Sequence, residues 1–241
     1  MGDALMGFFG ATPGFRARQL ESAWMISTGE PVLDLNCATI DDGAPEGTLE
    51  SFHGELYERD VPFLICLSGS VATELAPVAN RLGLRYAGPS TVMCYVPDLL
   101  DLHEGPIGFG MGRVGDRADL EACGELAAQI FGLPIESVRN IFKPQLLANP
   151  GIAVYLALLD GEPAGSVVLS LHEREVGIWC MGTAAACRRR GVGSALLLNA
   201  MREHWFPGRR YFLLPTPEGL PLYQRIGFRT STTGQAWTGN L

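Results

Sequence analysis

Lysine is nearly absent from this chain. Of 18 basic residues in 241, seventeen are arginine, and Lys143 is the single lysine. Against 26 acidic residues the formal net charge is −8. That leaves no broad basic surface for nucleic acid or for an anionic membrane, and the aromatic–basic interleaving of a single-strand binder is missing too. Six cysteines (Cys37, Cys66, Cys94, Cys123, Cys180, Cys187) form no CxxC pair, and four histidines are scattered. No metal site is therefore expected. Cysteines spaced this way read as reduced, mostly buried thiols of a cytoplasmic protein. No window approaches the roughly 18 apolar residues of a membrane span. The opening stretch MGDALMGFFGATPGFRARQ lacks a basic region followed by a sustained apolar run, so it is not expected to be a secretory signal. Two phosphate-binding signatures are also missing: GxxxxGK[ST] is absent, and after Gly193 no third glycine completes GxGxxG.

What is present suits a globular protein with a substantial core, 47% apolar and 18% charged. The first half reads as helix (about 13–28), strand (31–40), helix (48–60), strand (62–68), helix (70–83) and strand (90–99). Such alternation indicates an α/β or α+β unit with a mixed sheet. Gly and Pro in LHEGPIGFGMGRVGD mark a boundary, giving domains at 1–105 and 106–241. The second half opens with a strand near Gly108–Val114 and a helix N-capped by Asp116 or Asp119. Another helix follows Pro134. The runs IAVYLALLD and AGSVVLSLHE flank the turn GEP, and VGIWCMGT is the next strand. A helix after Gly191, a strand RYFLLPT, a short helix GLPLYQRI and a final strand from Gly227 complete the chain. Asn80–Val96 and Gln224–Trp237 share an R-apolar-G-apolar-R core, which suggests that the halves repeat one fold.

The densest positive charge, Arg188–Arg190, runs into Gly191 and Gly193 between an expected strand and an expected helix. The first N–H groups of a helix lack internal partners, and its dipole is positive there. Glycine lets a ligand approach the backbone closely. Together these features make a site for phosphates, with arginines at its rim.

The pattern R-x-x-G-x-G (Arg188, Gly191, Gly193) resembles the pyrophosphate motif of the GNAT acetyltransferase superfamily. About thirty residues on, Leu222, Tyr223, Gly227 and Phe228 resemble its L-Y-x-x-x-G-F signature. The resemblance covers about 108–237 and implies a GNAT-like fold, with a degenerate GNAT-like unit as the N-terminal half. It implies acetyl-CoA as co-substrate, transfer to a primary amine of a small molecule or peptide, and no metal. Cofactor contacts carry over to Met181, Gly182 and Thr183 at the strand before the motif, and to Arg188, Arg189, Arg190, Gly191, Val192, Gly193 and Ser194. Tyr223 corresponds to the residue that protonates the leaving thiolate, and a backbone N–H near Met181 to the oxyanion donor. For the general base, Glu175, Glu173 and His172 sit in or beside the turn before that strand, and Glu175 is the candidate chosen. Two departures stand out. PTPEGLP replaces the loop asparagine usual before the Tyr helix, and AAAC replaces the usual D-P-x-[YF] turn. A non-catalytic acyl-CoA sensor is the alternative, and retention of Tyr223 favours the enzyme. The acceptor and the oligomeric state stay open.

Overall fold

A computed structural model describes residues 8–10 and 12–241; the first seven residues of the N-terminal stretch considered above lie outside them. In chain order the elements are β1 (Arg16–Leu20), β2 (Ala23–Ser27), β3 (Asn36–Ile40), α1 (Thr48–Tyr57), β4 (Phe63–Ser68), α2 (Val71–Glu74), α3 (Ala76–Arg81) and β5 (Arg85–Tyr95). There follow β6 (Phe109–Arg113), α4 (Arg117–Phe131), α5 (Ile135–Ile141), α6 (Pro144–Leu147), β7 (Ile152–Leu159), β8 (Glu162–Leu171) and β9 (Glu175–Thr183). The last are α7 (Val192–Glu203), β10 (Arg210–Leu213), α8 (Leu220–Ile226) and β11 (Arg229–Gly239). No described helix is long and apolar enough to cross a membrane, and all six cysteines are free of disulfides.

The described residues form two compact units, one of those from Phe8 to Met93 together with Thr230–Leu241, the other Cys94–Arg229. In the first, the strand order is β1-β2-β3-β4-β11-β5. The segment 13–28, read from sequence as a helix, is a β-hairpin instead. Arg16 pairs with Ser27 and Leu20 with Ala23 around a turn in which Ser22 takes φ 53°. Its second strand, AWMIS, is buried throughout and pairs with β1 on one side and β3 on the other, so its backbone groups find partners on both sides. The core of this unit joins Phe52 and Leu56 of α1 to Phe63, Ile65 and Leu67 of β4 and Trp237 of β11. β11 is antiparallel to β4, from Gly234–Ser68 to Gly239–Phe63. The terminal strand, assigned by sequence to the second domain, therefore completes the sheet of the first unit.

In the Cys94–Arg229 unit the order is β10-β9-β8-β7-β6, antiparallel except for β9 with β10. Asp116 caps α4, its carboxylate accepting from the Asp119 N–H at 2.9 Å. Pro144 separates α5 from α6, breaking the single helix expected after Pro134. The β7–β8 turn uses Asp160 (φ 55°) and Gly161 (φ 87°), the left-handed pair a tight hairpin requires. α7 buries Val192, Ala195, Leu196, Ala200 and Met201, an i, i+3, i+4 stripe. Its far end is pinned by two tyrosines. Tyr155 donates to Glu203 at 2.6 Å and Tyr211 to the Met201 carbonyl at 2.8 Å.

The internal repeat is longer than its sequence core. At a constant offset of 144 residues, Gly47 and Gly191 both cap a helix in the left-handed region, with φ 76° and 88°. α3 and α8 begin at Ala76 and Leu220, and β5 and β11 at Arg85 and Arg229. Leu84 N–H bonds Ala79 O at 3.0 Å, just as Phe228 N–H bonds Tyr223 O at 3.0 Å.

Candidate active site

The candidate site lies where β9 loses a neighbour. β9 and β10 pair only over Glu175–Gly177 and Arg210–Phe212, yet β9 continues to Thr183. Its backbone beyond Gly177 therefore has no ladder on that side. On the other side, β8 and β9 slip register, with Val168 opposite Trp179 but Ser166 opposite Gly182. Two steps along β8 thus face three along β9. The extra residue lies at Cys180–Met181, and Cys180 takes φ 46°. A bulge of this kind re-aims backbone groups.

β9 then feeds α7. The Arg188 Nε donates to the Thr183 carbonyl at 3.2 Å, tying the arginine loop to the strand end. Arg189 and Gly191 turn through left-handed φ values of 63° and 88°. No side chain caps α7, so its first N–H groups are left for a ligand. Gly193 sits close to the strand: a Cβ there would lie 3.0 Å from Thr183 Oγ1 and 3.5 Å from Met181 Cε.

These parts line one cavity of about 740 Å³. Its wall includes Met181, Gly182, Thr183, Gly191, Gly193 and Ser194 on one side and Leu213, Thr216, Glu218 and Tyr223 on another. Tyr223 is only 7% exposed, and burial pushes its phenol up to about 12. It therefore keeps its proton through the neutral range. Its ring meets Phe228 edge-on at 5.9 Å and lies against Gly219, where a Cβ would approach Tyr223 Cε2 to 2.9 Å.

Residues 150–230, which carry β7 to β10 with α7 and α8, match the family model described as Acetyltransferase (GNAT) domain. They form a GNAT acetyltransferase domain. No curated protein sequence matches the chain. Among solved structures it is similar to a GCN5-related N-acetyltransferase from Kribbella flavida, with 18% identity, TM-score 0.71, and coverage of 98% of this chain and 93% of that one. A second likeness is to a GCN5-related N-acetyltransferase from Sphaerobacter thermophilus, with 16% identity, TM-score 0.64, and coverage of 90% and 76%. A third is to a tandem GNAT protein from the clavulanic acid biosynthesis pathway, with 15% identity, TM-score 0.63, and coverage of 98% and 86%. At these identities the likeness establishes the fold, a mixed α/β GNAT fold spanning both halves of the chain.

Within the GNAT domain, the sequence-derived residues Met181, Gly182, Thr183, Arg188, Arg189, Gly191, Gly193, Ser194 and Tyr223 all line the one cavity. Three others do not. Val192, the first residue of α7, is fully buried. Arg190 lies 4.0 Å from Asp160. Glu175 pairs with Arg210 where β9 and β10 are still joined, before the strands part, and is absent from the cavity wall. Sequence spacing put Glu175 near the cofactor strand but could not show that the strand opens only after Gly177. Among the described wall residues Glu218 is the one carboxylate, and Ile130, Phe131 and Arg225 join from α4 and α8. No local motif marks these four, because only the fold brings their elements together.

Proposed function

We propose that this protein transfers an acetyl group from acetyl-CoA to a primary amine of a small molecule or peptide. The observation that carries the proposal is a single cavity shared by an opened strand edge, an uncapped helix N-terminus and a buried tyrosine. These residues suit the co-substrate: the N–H groups of Val192, Gly193 and Ser194 would hold its pyrophosphate, with Arg188 and Arg189 beside them. Met181, Gly182 and Thr183 would offer backbone partners to its pantetheine amides, as an added strand would find.

Acetyl-CoA supplies the activated thioester. The chain's own residues do the rest. The backbone N–H at the Met181 bulge donates to the carbonyl oxygen as charge gathers there. Tyr223 donates its phenolic proton towards the departing sulfur. Burial raises its affinity for that proton, so the phenol is protonated at neutral pH and available as the donor. For accepting the ammonium proton we propose Glu218, which lines the cavity, in place of Glu175, which does not.

Calorimetric titration with acetyl-CoA tests this reading. Wild type should bind, and Gly193→Glu should not, because its side chain meets Thr183 and brings a negative charge to the helix entrance. Thiol release with an amine panel then separates enzyme from sensor. Binding without turnover of any amine would favour a sensor, and no binding by the wild type would end the acyl-CoA reading.

A further inference from the structure

The two faces of β9 differ where the sheet opens. A Cβ on Gly193 of α7 would meet the side chains of Met181 and Thr183, which puts both on the α7 face. A Cβ on Gly182, between them, would lie 2.8 Å from Ile130 Cγ2, so Gly182 faces α4. The register carries this second face back along the strand. Ser166 stands opposite Gly182 and Val168 opposite Trp179, and residues two apart on β8 point the same way. Trp179 therefore faces α4 as well. Its ring meets Phe212 edge-on at 5.8 Å, and its one polar atom donates to Ser170 Oγ at 2.7 Å, which leaves only hydrocarbon to offer. Leu214 follows two residues after Phe212, and it lines the cavity with Ile130 and Phe131 from the last turn of α4. Phe131 and Leu214 are 36% and 42% exposed, apolar surface that an apolar ligand in the cavity would cover.

With acetyl-CoA entering at the α7 face, the acceptor amine comes to the thioester from this apolar face. The charges on the wall limit what else it can carry. Among the described wall residues one carboxylate, Glu218, stands against three arginines. Once Glu218 serves the reacting amine, a second ammonium group would rest on hydrocarbon without a counter-charge, which is costly. The net charge of −8 draws cations of every valence towards the chain, so selection falls to the wall. We infer that the acceptor is a lipophilic monoamine, one primary amine on a hydrocarbon body that lies against Ile130, Phe131 and Leu214. Its nitrogen bonds the acetyl carbon as the C–S bond breaks. Of the two protons the nitrogen loses, one passes to Glu218 and the other restores the proton Tyr223 gives to the sulfur. This inference rests on the acetyl-transfer reading above and deepens it by naming the substrate class.

Three amines of equal length test it: hexylamine, 5-aminopentan-1-ol and 1,5-diaminopentane, which end in methyl, hydroxyl and ammonium. The readout is kcat/KM from thiol release. Wild type should favour hexylamine over the alcohol by about tenfold and over the diamine by about a hundredfold. Leu214→Asp sets a second carboxylate on the apolar side, so it should weaken hexylamine and improve the diamine by about tenfold. Leu214→Asn, polar but uncharged, should weaken hexylamine without improving the diamine. Calorimetry with acetyl-CoA, expected near wild type for both variants, shows that they are folded. Equal wild-type kcat/KM for hexylamine and the diamine, or no gain for the diamine in a folded Leu214→Asp, would overturn the inference while acetyl transfer stands. Acetyl-CoA binding with turnover of none of the three would overturn it too. Failure of the wild type to bind acetyl-CoA would remove the reading beneath it.

Discussion

Tyr223 and Ala79 occupy matching places in the repeat, each followed five residues later by an N–H bonded to its carbonyl. One is a phenol on a cavity wall and the other is a fully buried methyl. Tyr223→Phe is expected to lower kcat by about a hundredfold or more, the usual reach of general acid catalysis, with little change in acetyl-CoA affinity. Because burial pushes the phenol up to about 12, its deprotonation should add no falling limb to the wild-type pH–rate profile below about pH 10. Glu218→Gln should reduce kcat/KM for the amine at least tenfold, whereas Glu175→Gln, tied to Arg210 away from the wall, should leave it near wild type. Steady-state kinetics on the three variants checks all of these. In the first unit, Asp42 accepts from Ser70 N–H at 2.8 Å, Ser70 Oγ at 2.9 Å and Val71 N–H at 3.1 Å. The Val71 N–H foremost, with the Ser70 hydroxyl, holds this carboxyl below the ordinary aspartate range. Stability from it is present above that range and lost as pH falls through the lowered value. Asp42→Asn should therefore lower Tm at neutral pH and converge on wild type in acid.

At the scale of elements, the helix-entrance motif was legible because its chemistry is local: strand, glycine turn and apolar helix are contiguous. The Asp116 cap and the Asp160–Gly161 turn were legible for the same reason. The hairpin at 16–27 was not, because Ala23–Ser27 is apolar without alternation and only its pairing with β3 distinguishes it from a buried helical stretch. The cavity wall was legible in part. The glycines and Tyr223 announced themselves, but Glu218 and Arg225 have no signature apart from the strand separation that ends β9–β10 pairing at Gly177. Core elements should answer to size alone. Phe52→Ala, at a fully buried position of α1, should destabilise the first unit by about 3–5 kcal/mol in denaturant melts.

For the molecule as a whole, the repeat places two helix entrances in one chain but equips only one. Where the GNAT domain has Arg188–Arg190, the first unit has Ala44, Pro45 and Glu46; where it has Gly193, the first unit has the buried Leu49. Asp42, reaching Ser70 and Val71, spans the ground that in the GNAT domain is open between the α7 entrance and the loop before α8. Calorimetry should accordingly return one acetyl-CoA per chain. Two equivalent sites would contradict this account of the repeat. Ending the chain at Arg229 should unfold the first unit, by stripping Trp237 from its core and baring the β4 edge.

The pairing of β11 with β4 also sets a schedule for biosynthesis. The sheet begun by residues 16–68 receives one of its inner strands from Arg229–Gly239, made only after the elements of the other unit. Its β4 edge stays open until that strand emerges, so this unit cannot finish folding before the intervening Cys94–Arg229 unit has been made.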